Sequence, residues 1–415
     1  MSQGFPKSGA SWHELKRRML DMSRHDVDWR GGRAALHVYY AGEDVLAVAR
    51  DAYAMFMSEN ALAPAAFPSV ATMERDIAGA ALDLLHAPDG AVGYVTSGGT
   101  ESILLAMKAA RDWSRNGRRS DGSRPEVVLP RSAHPAFDKA AQYLGIKPVR
   151  VPTAANYRAD SVLMASAITE NTIMLVASAP ALPYGLMDPV ADIAHVALEH
   201  DVWLHVDACV GGFIAPFAKK LGYSMPVFDF GVHGVRSISA DLHKYGYAAK
   251  GASVVLYADA DFAKYQSTEF VDWPKGKYYT PTLAGTRSGG VIAAAWAVLH
   301  YLGENGYLAL TSRVMRTWRR YVEGIRAIPE LYVIGAPDLA IVSFGSNVVD
   351  IFAVSQVLSQ RQWYVSRITE PKGIHQMVNP AHEAIVDEYL DDVTAAIAQV
   401  RASAARVDCL EVTTY

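Results

Sequence analysis

AVGYVTSGGTESILLAMKAARDWSRN, residues 91–116, reads as a strand, a glycine turn and a helix in one continuous run. The apolar stretch 91–96 is too short for a buried helix, and SGGTES, 97–102, breaks it before the helix expected over 103–116. The same alternation continues downstream. Strands are expected at 126–130, 147–151, 172–178, 202–206, 237–240 and 253–257, with helices at 134–144, 161–168 and 189–200 between the earlier ones. Strands alternating with helices at this spacing predict an α/β fold: a mainly parallel central sheet with helices on both faces. Ligand sites of such sheets lie at the carboxyl ends of the strands.

Outward from this unit the pattern changes. Upstream, helices are expected at 13–24, 43–58 and 72–86, separated by a glycine break at 30–32 and a loop over 60–69 that carries Pro64 and Pro68. Downstream of Gly290, two long helices (291–303 and 306–327), two strands within 330–346, a helix at 350–361, a strand at 363–368 and a closing helix at 382–405 predict a small α+β domain. The chain therefore divides into an N-terminal helical segment (1–60), a large domain (61–290) and a small C-terminal domain (291–415).

The bulk composition narrows the function. Apolar residues make up 51% and charged residues 20% of 415 positions, which is globular composition. A net charge of −4 leaves no broad basic surface, which argues against nucleic acid as a partner. With only two cysteines, Cys209 and Cys409, there is no disulfide framework, and a cytoplasmic, reducing location is expected. The N-terminus has no secretory apolar core, and the longest apolar runs, such as 291–299, fall short of the roughly 20 residues that span a bilayer, so no transmembrane anchor is expected.

Four local signals carry chemistry. In Asp241-Leu242-His243-Lys244 a lysine follows a strand among small and aromatic residues, where desolvation is expected to depress its pKa and free it to form imines with aldehydes. Asp207, in His205-Val206-Asp207, closes a strand; a carboxylate there pairs with a pyridinium nitrogen or caps a helix. Gly98, Gly99 and Thr100 bring backbone amides and a hydroxyl to the start of a helix, where a phosphate fits and where a simple capped turn also fits. His134 follows the strand 126–130, placed to stack on a planar ring or to serve as a core histidine. Each alone is weak. Their order along the chain matches the large domain of fold-type I pyridoxal-phosphate (PLP) enzymes.

Longer strings are more specific. VTSGGTESILLAMKAARD (95–112), SAHPAFDKAA (132–141), LHVDACVGGF (204–213), SISADLHKYGYAAKGASVVLY (237–257), PTLAGTRSGG (281–290) and GENGY (303–307) resemble the sphingosine-1-phosphate lyase family, from about Gly42 to Gly306. SGGTES and HVDA are shared with the wider group of amino-acid decarboxylases. The resemblance implies that Lys244 carries the cofactor as a Schiff base, that Asp207 pairs with its ring nitrogen and that His134 stacks on the ring. It further implies that Gly98, Gly99, Thr100 and His243 bind the cofactor phosphate, while Thr286 reaches the phosphate of a partner subunit in a homodimer with shared active sites. Tyr40, Tyr184 and Tyr278 match family tyrosines near the substrate, and Lys250 matches a lysine that holds the substrate phosphate. Among these, Lys244, Asp207, Tyr184 and Tyr278 are the implied catalytic set, and no metal is implied.

The implied reaction is cleavage of the α–β carbon bond of a phosphorylated long-chain β-hydroxy amine to a fatty aldehyde and an amine such as phosphoethanolamine. One departure bears on it: where relatives carry a substrate-phosphate histidine, this chain has Ala63. An amino-acid decarboxylase using the same cofactor is the alternative, and a cofactor-binding protein without lyase turnover is a third.

Overall fold

The computed structural model describes residues 4–116 and 124–403; Cys409 and the last two positions of the helix expected over 382–405 lie outside them. Three helices come first, α1 (Trp12–Met22), α2 (Glu43–Met55) and α3 (Pro68–Leu84). The large domain follows as β1 (Val92–Thr96), α4 (Gly99–Arg115), β2 (Glu126–Pro130), α5 (Ala136–Leu144), β3 (Lys147–Val151), α6 (Ser161–Ser166), β4 (Thr172–Ser178), α7 (Val190–Glu199), β5 (Trp203–Asp207), α8 (Ala215–Lys220), β6 (Val235–Ala240), β7 (Ser253–Tyr257) and α9 (Ala260–Ala263). A hairpin, β8 (Thr268–Phe270) and β9 (Tyr278–Thr280), precedes the long α10 (Gly289–Ala327). The chain ends with β10 (Leu331–Val333), β11 (Ile341–Ser346), α11 (Ile351–Gln360), β12 (Ser366–Thr369), β13 (Lys372–Met377) and α12 (Val386–Ser403).

Seven strands form one sheet in the order β1-β7-β6-β5-β4-β2-β3. Only β7 is reversed, antiparallel to both β1 and β6, so six strands point their carboxyl ends the same way. The strand period of two sorts side chains onto two cores. Val127, Leu129, Met174, Val176, Trp203, Val255 and Tyr257 face one side with α4 and α5, and Val128, Leu175, Ala177, Leu204, Val206, Val254 and Leu256 face the other. Burial on both faces is why these strands read as near-continuous apolar runs, and each Val, Leu or Ile so buried contributes roughly 1.5–3 kcal/mol.

Several boundaries differ from expectation for identifiable reasons. Helix α3 starts at Pro68, because a proline at the first helical position loses no hydrogen bond. Helix α4 starts at Gly99, so half of SGGTES is its first turn. The two long helices expected after Gly290 are the halves of α10, which departs from helical geometry at Gly303 (φ 53°, ψ −174°). The first half packs on α2 and α3, with Trp296 Nε1 donating to Asp76 and Tyr301 Oη to Asp44. The second half carries the small domain, where Trp318 Nε1 donates to the Ile341 carbonyl at 2.8 Å.

The small domain is a four-stranded antiparallel sheet, β10-β11-β13-β12, and the strand expected at 363–368 is the hairpin β12–β13 instead. It locks onto the large domain through Ser343 Oγ on the Pro183 carbonyl (2.6 Å), His375 Nε2 on the Leu182 carbonyl (2.9 Å) and Tyr245 Oη on the Val378 carbonyl (2.7 Å). Among the described residues no helix is long and apolar enough to cross a membrane.

Candidate active site

Five strands deliver their carboxyl ends to one cavity of about 330 Å³. From β1 come Ser97, Gly98, Gly99 and Thr100; from the turn after β2, His134; from β4, Ser178, Pro180 and Leu182; from β5, Asp207 and Cys209; and from β6, Asp241, His243 and Lys244. The four signals read from sequence are thus brought together by one sheet edge.

Each element holds its side chain by ordinary local forces. The Asp207 carboxylate accepts from its own turn, Cys209 N–H at 3.1 Å, and from Ser239 Oγ on β6 at 3.3 Å. Ser239 in turn meets His205 Nε2 at 3.2 Å, whose Nδ1 contacts Ser237 Oγ at 2.8 Å, so a polar chain inside the sheet orients Asp207. Burial pushes the His205 imidazole down to about 4, which keeps that chain neutral near pH 7. The Ser97–Thr100 turn is braced by Glu101, whose Oε2 accepts from Ser97 N–H (2.7 Å) and Oγ (2.5 Å) while Oε1 accepts from Leu283 N–H (3.0 Å). Gly98, at φ 154°, opens the helix with no side-chain cap. A Cβ on Gly99 would lie 2.7 Å from Cys209 Sγ and 3.0 Å from both Asp241 oxygens, so only glycine lets the turn approach so closely.

The lysine departs from expectation. Burial does work against the Lys244 charge, but Asp241 Oδ2 lies 3.0 Å from Nζ and holds the amine well above the ordinary lysine range. Its pKa is raised, not depressed, because the burial penalty is outweighed by a paired carboxylate that is itself 3% exposed. Asp241 also lies 3.7 Å from His243 Nε2, and burial pushes both His243 and His134 below the ordinary histidine range. Lys250 donates to the His243 carbonyl at 3.0 Å; crowding by protein atoms, then the like charge on Lys244, pushes it down to about 8.

The tyrosines and Thr286 are placed elsewhere in this chain. Tyr184 Oη donates to the Glu370 carbonyl at 2.6 Å, in a cluster with Leu186 and Ile334 outside the cavity wall. Tyr40 turns to Glu43, 2.8 Å away, and packs edge-on against Trp29. Its neighbour Tyr39 takes the inner position: Lys250 Nζ lies 4.9 Å from its ring centroid, its ring meets Tyr245 at 5.0 Å, and its hydroxyl bonds Met377 Sδ. Tyr278 stacks edge-on with Trp273 on the β8–β9 hairpin. Thr286 is exposed between Gly285 and Arg287, which line a second cavity of about 270 Å³ with Leu62, Pro64 and Tyr279. Tyr39, Ser239 and Glu101 carry no signal of their role in the sequence; Asp241 carries one, a carboxylate three residues before the lysine. No cluster of metal ligands occurs among the described residues.

Comparison with known proteins gives the site a family context. Residues 27–347 match the model of the pyridoxal-dependent decarboxylase conserved domain. The sphingosine-1-phosphate lyase of Arabidopsis thaliana is 42% identical over 398 residues, covering 94% of this chain and 73% of that protein. The solved sphingosine-1-phosphate lyase of Burkholderia pseudomallei superposes with a TM-score of 0.93 at 37% identity, over 97% of this chain and 94% of that one. A probable L-aspartate decarboxylase of Pyrococcus furiosus is 32% identical over 362 residues, covering 87% of this chain and 94% of that protein.

The donor set fits pyridoxal phosphate. An aldehyde needs an amine, a pyridinium nitrogen a carboxylate, and a phosphate a turn of amides at a helix start, and the cavity wall carries all three. Three polar atoms of this wall, Ser178 Oγ, His243 Nδ1 and Asp241 Oδ1, are buried without a hydrogen-bond partner, which a bound polar group would relieve. Overpacking such a turn costs about 1–3 kcal/mol. Gly99→Ala is therefore expected to weaken PLP binding by about 10–100-fold, read by equilibrium titration of protein fluorescence; an unchanged affinity would show that the turn does not touch the cofactor.

Proposed function

Because the chain belongs to the sphingosine-1-phosphate lyases within the pyridoxal-dependent decarboxylase family, we propose that its cavity cleaves phosphorylated long-chain β-hydroxy amines such as sphingosine-1-phosphate, to a fatty aldehyde and phosphoethanolamine. When bound, PLP supplies the imine chemistry and the electron sink that make the carbon–carbon bond breakable. The protein supplies position and charge. In this reading Lys244 tethers the cofactor, yields to the substrate amine and then carries a proton at Nζ. Asp207, oriented by Ser239, keeps the ring nitrogen protonated; Gly98, Gly99, Thr100 and His243 hold the phosphate; His134 lies against the ring.

The observation within the site that supports a phosphorylated substrate is Lys250. Its amine lies 3.0 Å from the carbonyl oxygen of His243, a residue of the cavity wall, and against the Tyr39 ring. A lysine offers a phosphate a compact point charge. Tyr184 has no part in this account, because its hydroxyl is committed to Glu370.

We also propose a homodimer. Phe270, Val271, Trp273, Tyr279 and Leu283 are large apolar residues left exposed around the β8–β9 hairpin, and a second copy would cover them. Glu101 ties this same loop to the Ser97–Thr100 turn through Leu283, so Thr286 and Tyr278 would be presented to the partner's cavity. A reducing, cytoplasmic setting agrees with a free, buried Cys209 thiol.

Incubated with dihydrosphingosine-1-phosphate, the holoenzyme should release long-chain aldehyde; carbon dioxide from an amino acid without aldehyde would transfer the protein to the decarboxylases. A charge-assisted contact contributes about 1.5–3 kcal/mol, so Lys250→Met should raise KM for the phosphorylated substrate about 10–100-fold with little change in kcat. Lys250 is charged below its pKa and neutral above it, so the wild-type KM should rise as pH passes about 8, and the variant's should not. Sedimentation should give a dimer at assay concentrations, and a fully active monomer would rule out the shared site.

A further inference from the structure

Glu101, in the first turn of α4, lines the cavity wall but divides its carboxylate between two other segments of the chain. The residue is 6% exposed. Oε2 accepts from Ser97 N–H at 2.7 Å and from Ser97 Oγ at 2.5 Å, inside the Ser97–Thr100 turn. Oε1 accepts from Leu283 N–H at 3.0 Å, inside the loop that carries Thr286. Hydrogen bonds to an ionised carboxylate are strong ones, so this side chain is a firm strut between the turn and the loop.

The loop has few other ties. At one end Gln266 Nε2 donates to the Pro281 carbonyl. At the other, Arg287 pairs with Glu74 and donates to the Val95 carbonyl at 3.0 Å. Between these ends the Thr280 and Thr282 hydroxyls serve the loop itself, both on the Ala284 carbonyl. Among the described residues, Leu283 N–H on Glu101 is the one hydrogen bond that joins residues 282–286 to anything outside 280–287. Leu283 and Tyr279 leave this loop with an exposed apolar surface.

We propose that Glu101 is a positioning residue that couples cofactor-phosphate binding in one subunit to the docking of that subunit's own 281–287 loop on its partner. A phosphate seated on the turn fixes Ser97, Ser97 fixes the Glu101 carboxylate, and the carboxylate fixes Leu283. A partner that covers the loop runs the same chain in reverse and leaves the turn already ordered. Each event then loses less conformational entropy once the other has occurred. By linkage each strengthens the other by the same factor. No bond or proton is exchanged. The proposal rests on two readings made above, the turn as the cofactor-phosphate site and the homodimer. Glu101→Gln separates the two ties: the amide keeps one oxygen for Ser97 and sets its own N–H groups against Leu283 N–H, donor facing donor.

The test compares dimer dissociation constants of the full chain, measured by sedimentation equilibrium with and without saturating pyridoxal phosphate. A Thr286 that reaches the partner's phosphate would couple the same two events directly, so both proteins compared carry Thr286→Ala. Couplings between sites run to about 5–150-fold, so the Thr286→Ala dimer should tighten about tenfold or more when the cofactor binds. With Glu101→Gln added, the factor should fall to about one. A glutamate that only stabilises the fold would weaken both constants and keep their ratio, and an unchanged ratio overturns the proposal. A Thr286→Ala dimer that the cofactor does not tighten overturns it as well. Should Glu101→Gln not fold, Glu101→Asp, too short to hold both segments, takes its place with the same expected loss. Two failures belong to the readings beneath. A wild-type chain that stays monomeric at every concentration removes the homodimer. Pyridoxal, which lacks the phosphate, tightening the wild-type dimer as much as pyridoxal phosphate removes the turn as the phosphate site. Either takes the coupling with it.

Discussion

The ion pair between Lys244 and Asp241 places an ammonium and a carboxylate 3.0 Å apart in a wall that also carries Asp207, His134, His243 and the Ser97–Thr100 turn. Two unpaired charges there would each be costly. The pair explains why a lysine, rarely buried, is tolerated at this depth, and why its amine rests protonated in the cofactor-free protein. It also explains the glycine at position 99: the turn that receives an anion packs directly on the carboxylate and on Cys209, with no room for a methyl group.

The sheet makes the pair possible. Six strands run in one direction and end on one edge, so residues 97, 134, 178, 207 and 241 meet although more than a hundred positions separate the first from the last. The reversed strand β7 returns the chain past the lysine loop, and the Ser253 hydroxyl at its start donates to the Ala240 carbonyl at 3.1 Å. The small domain then closes one side through Leu182, Pro183 and Val378. Function sits at this edge because strand ends leave amides and side chains free to converge.

Much of this is legible in the chain itself. The apolar runs at 126–130, 172–178 and 253–257 match β2, β4 and β7 because strands buried on both faces leave no polar positions to blur them. Asp207, His134 and the glycine turn are legible because each follows such a run. The hairpin β8–β9 is not: TEFVDWPKGKYYT mixes charge with aromatics, and its exposed strands carry no alternation. The tyrosines fail for another reason. Tyr39 and Tyr40 are adjacent in an irregular segment, where no period says which faces inward, and the tertiary contacts to Met377 and Glu43 decide it. Tyr184 is committed by a carbonyl 186 positions away. The raised lysine pKa is not legible in the chain, because desolvation is visible in composition and a partner's distance is not.

The most direct measurement concerns the covalent tether. The yellow holoenzyme is reduced with borohydride, digested and mapped by mass spectrometry. The account predicts that the reduced cofactor is carried by the peptide containing Lys244, and that Lys244→Ala yields no such adduct at any position. Cofactor retained on Lys250, or on any other lysine of the wild-type protein, would contradict it.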